Sequence, residues 1–145
     1  MERLDYRKIG EESWRALGVL ARTVEAGGLP HSLVEMVKLR ASQINGCANC
    51  VNLHSNLLRK DGISEERIQN VVVWWEATCF DDRDTAACAW TDAVTLVAET
   101  RVPDEVYDRV VGQFNEKELS DLTFAICTIN FHNRLAVAFR SVPGS

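Results

Sequence analysis

Breakers are scarce in this chain: three prolines and eight glycines interrupt 145 residues, and none cluster into a linker. With no internal repeat and no low-complexity stretch either, the length fits one domain with a real core, residues 1–145. Positive charge is also in short supply, with 16 Lys and Arg against 21 Asp and Glu and a net charge of -5. No basic cluster exceeds "RK", so neither nucleic acid nor an anionic membrane is an expected partner. Long apolar runs are missing, and none approaches the roughly 20 residues that span a bilayer. The start, "MERLDYRKIGEESW", is charged throughout and lacks the apolar core of a secretory signal, which makes a cytoplasmic location the expectation. Five cysteines, an odd number, do not make a closed framework of structural disulfides. Any disulfide here is expected to be transient chemistry.

What remains is helical periodicity. It is clearest over 83–100, where Ala86, Ala87, Trp90, Ala93, Val94, Val97 and Ala98 recur at steps of three and four, behind Asp81 and Asp82 as capping residues. A first helix is expected from about Ile9 to Ala26, ending at Gly27-Gly28. A second begins near Pro30 or Ser32, and a third runs from Gly46 to Lys60 with Asn45 as its cap. Ser64-Glu65-Glu66 opens a fourth, and Pro103 a fifth element. Residues 116–139 make a last, largely apolar helix. "VVVWW", residues 71–75, would pass alone for a strand, but its helical flanks predict continued helix. Trp74 and Trp75 then point about 100° apart, so one enters the core. The other is covered by a further surface, such as another subunit, or stays partly exposed. The fold class is all-α, with about six or seven helices.

The chemistry concentrates in "NGCANCVNLH", residues 45–54. On a helix Cys47, Cys50 and His54 fall at roughly 0°, 300° and 340°, an arc of about 60°. Both thiols would sit in the first turn, where unpaired N–H groups and the helix dipole favour a thiolate. His54, one turn past Cys50, is placed to take that thiol's proton. The dipole favours Cys47 as the reactive sulfur and the histidine favours Cys50, so spacing alone leaves the choice open. A redox role has two competitors. Cysteines on one helical face can simply pack. A zinc site is the second, although zinc sites usually draw another ligand pair from a separate segment and none exists here. Glu35 could fold back over the dithiol from the preceding helix, or could complete a capping box with Ser32.

The stretch "EMVKLRASQINGCANCVNLH" resembles the AhpD-like alkyl hydroperoxidase branch of the carboxymuconolactone decarboxylase family. "AWTDAV" and "INFHNRLAVAFRSVPG" extend the resemblance over nearly the whole chain. It implies an all-helical protein that assembles as a dimer, trimer or hexamer and reduces a peroxide at the expense of an external dithiol, with no metal or organic cofactor. It further implies Cys50 as the attacking thiolate, Cys47 as the resolving thiol and His54 as the base, with Glu35 relaying or orienting the proton. Decarboxylases of the wider family generally lack the dithiol. Two positions depart from the pattern. Asn49 stands where an aromatic residue or histidine often precedes the second cysteine, and His132 stands where tryptophan is common. His132 lies on an apolar face and is expected to be a satisfied core histidine. Cys79, Cys88 and Cys127 match nothing catalytic and are expected to pack.

Overall fold

Nine α-helices and no strand make up the described residues, 1–142, of the computed structural model. They are α1 (Tyr6–Ile9), α2 (Glu11–Glu25), α3 (His31–Asn45), α4 (Ala48–Lys60), α5 (Glu65–Asn70), α6 (Asp82–Thr95), α7 (Val97–Thr100), α8 (Asp104–Val111) and α9 (Glu116–Phe139). The expected all-α class holds, and the excess over six or seven helices comes from short pieces. Pro143 and Gly144, which close the final motif string, lie outside the described residues. No helix among those described is long and apolar enough to cross a membrane.

The hub is α3. It packs against α4, α6 and α9 together, so residues on most of its circumference are buried, Leu33, Val34, Met36, Val37, Leu39 and Ala41 among them. A helix covered on several sides needs no single apolar stripe, and α3 accordingly also buries Glu35, Lys38 and Ser42. Ser42 Oγ accepts from Asn133 Nδ2 of α9 at 3.1 Å and donates to the Lys38 carbonyl at 2.6 Å.

Three local expectations are corrected. Gly46 does not begin α4: at φ 68° it is left-handed and ends α3, a conformation glycine adopts without steric cost. Asn45 is therefore the last residue of α3 and no cap; its Nδ2 donates to Asn130 Oδ1 at 2.9 Å and Asn133 Oδ1 at 3.0 Å on α9. "VVVWW" forms neither strand nor continued α-helix. Val71–Val73 tighten into a 3₁₀ turn, which lets Trp74 swing inward and donate its Nε1–H to Asp92 Oδ2 at 3.1 Å. Trp75 remains 59% exposed, with Arg40 over its ring. Finally, the 83–100 helix is two. It breaks at Leu96, Thr100 Oγ1 donates to the Ala93 carbonyl at 2.7 Å, and Val97 faces outward rather than joining the apolar stripe. At its start Asp81 caps as expected, but Asp82 is the first helical residue and the reciprocal capping box is completed by Asp84.

Candidate active site

The tight Gly46 turn delivers Cys47 to the N-cap of α4, outside the helix at φ -89° and ψ 96°, and leaves Cys50 at the third helical position. The two are therefore not on one helical stripe as their spacing suggested. Leaving the helix brings Cys47 back over the first turn, where its Sγ accepts from the Cys50 N–H at 3.2 Å. The two sulfurs are joined in a disulfide, with Cα atoms 5.3 Å apart, inside the usual range for such a bond. Both residues are buried in a small cluster with Ala41 of α3 and Ile129 and Ala136 of α9.

One turn along α4, His54 meets Glu35 of α3: Nδ1 lies 2.6 Å from Oε2, and both side chains are buried. The capping-box alternative for Glu35 is thereby excluded. α3 starts after Pro30 with no side-chain cap, and the Glu35 carboxylate, 1% exposed, points into the bundle. Burial acts to raise the Glu35 carboxyl pKa, but the hydrogen bond from His54 and the charges of His54, Lys38 and His31 outweigh it and hold the carboxyl below its ordinary value. A carboxylate facing Nδ1 favours the tautomer with its proton on that nitrogen, which leaves Nε2 as the position where the ring can accept or release a proton. The other carboxylate oxygen, Oε1, has two neighbours at 3.6 Å, the Lys38 Nζ ammonium and the His31 ring at Nε2.

These groups border a cavity of about 560 Å³. Cys50, His54 and Glu35 line it, as do Asn49, Lys38 and His132; the apolar part of the wall includes Trp14, Leu53, Leu57 and Ile129. Cys47 does not line it. The volume lies within the range of small-molecule sites. His132 is thus no simple core histidine. Half-buried, it lies edge-on to Trp14 with ring centroids 5.3 Å apart. Burial, with the nearby charges of Lys38, His54 and Arg7, lowers its pKa to about 4.

All four site residues singled out in the sequence therefore meet at one place. Lys38, His31 and Trp14 were not singled out. Their only sequence signal was position: His31 and Lys38 stand four before and three after Glu35, on its own helical face. Of the other cysteines, Cys88 packs as expected, its thiol pushed far up by burial and by Asp92 and Asp84. Cys79 is partly buried, whereas Cys127 is exposed on α9 and does not pack inside.

The sequence profile of the carboxymuconolactone decarboxylase family matches residues 12–93, more than half of the chain and including the whole Glu35–His54 segment. The chain belongs to this family. Family resemblance extends well beyond the matched segment. The uncharacterized protein YdfG of Bacillus subtilis (strain 168) is 32% identical over 137 residues, covering 94% of this chain and 93% of that one. A crystal structure from Agrobacterium tumefaciens, of a protein of unknown function proposed to serve in AhpD antioxidant defence, is 39% identical with a TM-score of 0.97, over 100% of this chain and 99% of that one. The alkyl hydroperoxide reductase AhpD of Methylobacterium sp. (strain 4-46) is 40% identical over a shorter segment of 45 residues, 31% of this chain and 26% of that protein. The fold is accordingly AhpD-like.

Proposed function

We propose that this family member is a thiol-dependent peroxidase that reduces hydroperoxides through the Cys47–Cys50 dithiol. One observation carries the proposal: of the two linked cysteines, Cys50 alone opens on the cavity that also receives the His54–Glu35 pair. Similarity to proteins described as AhpD supports it. In the reduced enzyme His54 takes the Cys50 proton and the thiolate attacks the terminal oxygen of R–O–O–H. The S–O bond forms as the O–O bond breaks, and the leaving alkoxide takes the proton from His54 to give ROH. Cys50 is then a sulfenic acid. The Cys47 sulfur displaces its oxygen, forming the disulfide, and the expelled hydroxide leaves as water with the Cys47 proton. The dithiol has lost two electrons and the peroxide has gained them. An external dithiol returns the pair to its thiols by exchange. None of these steps calls for a metal or organic cofactor.

Cys50→Ser should abolish peroxide consumption, measured with hydrogen peroxide and an organic hydroperoxide in the presence of a dithiol. Cys47→Ser should instead accumulate a sulfenic acid that a dimedone-type reagent traps. Equal turnover by wild type and Cys50→Ser would end the proposal. The homo-oligomer belongs to the same proposal, and sizing reduced and oxidised protein side by side checks it. A size change on oxidation with little turnover would favour a disulfide carrier or redox sensor instead.

A further inference from the structure

The peroxidase cycle requires the active site to recover protons from water, because an external dithiol attacks as a thiolate that has left its proton in solvent. The cavity is one route for that proton, but the attacking dithiol occupies it at the moment of need. A second route runs from the back of the Glu35 carboxylate. His31, at the first position of α3, lies with Nε2 3.6 Å from Glu35 Oε1, while its Nδ1 lies 2.5 Å from Asp61 Oδ2 at the end of α4. His31 is half exposed, Asp61 is partly so, and neither lines the cavity.

We propose that the His31–Asp61 pair is the solvent port of a proton relay running Asp61–His31–Glu35–His54 to Cys50. The inference rests on the peroxidase proposal and adds a second entrance to that site. An imidazole can accept a proton on one nitrogen while releasing another from the second. Asp61 holds the ring so that Nε2 faces Glu35, and the carboxylate is shared between the port on Oε1 and His54 on Oε2. The 3.6 Å step is ion-pair distance, and a small ring movement or one water closes it to a hydrogen bond. The other charge on Oε1, Lys38, is itself 3.4 Å from Glu25 Oε1, and both residues line the cavity, so that branch opens on the substrate side and leaves His31 as the connection on the far side. His31 touches no reacting atom; it positions and resupplies the proton that Glu35 and His54 hold.

The test is His31→Gln in the full chain, with fold checked by circular dichroism, under weak buffering. The expected result is kcat down about tenfold with KM nearly unchanged, since His31 lies outside the cavity, and kcat restored by added imidazole. No loss, or a loss that imidazole does not restore, overturns the port. Should wild type fail to turn over any peroxide, the peroxidase proposal falls separately. The port is then decided by the pH dependence of Cys50 alkylation by iodoacetamide in pre-reduced protein, which needs the thiolate and no peroxide. Loss of a cation beside Glu35 should move the alkylation midpoint of His31→Gln up by about half a pH unit, and an unmoved midpoint overturns the port.

Discussion

His132 shows how one side chain ties the cavity to stability. The unfolded chain protonates this histidine near its ordinary value of 6.5, whereas the folded chain holds it neutral down to about 4. Between these values the unfolded state binds the extra proton, so this contribution to stability is full above pH 6.5 and is lost as pH falls through the folded value. A fully buried ring with such a shift would account for about 3 kcal/mol; water still reaches this one, and about 1–2 kcal/mol is the expected size. His132→Gln should therefore flatten the decline in urea midpoint between pH 7 and 4 relative to wild type. Parallel declines for the two proteins would show that the ring is not held neutral. Glu35 opposes the usual effect of burial for the converse reason, because three cationic or potentially cationic neighbours surround it.

At the scale of elements, the α3–α4 junction matters most. Gly46 has open space where a Cβ would sit, so bulk is no obstacle to a side chain there. Its φ of 68° is the obstacle, because the left-handed conformation costs a non-glycine residue about 1–2 kcal/mol. Gly46→Ala should lower stability by about 1 kcal/mol in chemical denaturation. Because Cys47 follows directly and leaves the helix through this turn, the same variant should also slow disulfide formation in the reduced protein. A variant as stable and as quickly oxidised as wild type would mean that the turn does not set the cysteine geometry. The junction was half legible. Glycine after an apolar helical run signals a terminus, but assigning it to the start of α4 rather than the end of α3 cost the N-cap position of Cys47.

For the whole molecule, α3 is the element on which α4, α6 and α9 all pack. Leu39 is fully buried among helices that meet on α3. Leu39→Ala should cost about 2–5 kcal/mol, the range for a leucine whose cavity cannot collapse, read as a lower denaturation midpoint. A loss under about 1 kcal/mol would mean that the surrounding helices close the gap. Glu35 shares this helix, so turnover should fall along with stability if the core sets the Glu35–His54 distance. The long helices were legible as a group, and α9 matches its expected span of 116–139. The short ones were not. Helices such as α1 and α7 hold four residues each, too few for a period to register, and are held in place by neighbours rather than by their own pattern.

The sequence by itself determined the all-α class and the proximity of Cys47, Cys50 and His54, because residues three and four apart on a helix, or just before one, are neighbours by chain geometry alone. With the family motif it also pointed to Glu35. Tertiary structure decided the rest: that Glu35 bonds His54 instead of capping α3, that Cys50 rather than Cys47 meets the cavity, that His132 lines it, and that His31 and Asp61 stand behind Glu35. Those pairings span 19 to 30 residues or more and arise only when α3, α4 and α9 pack. No local period encodes which faces those helices turn toward one another.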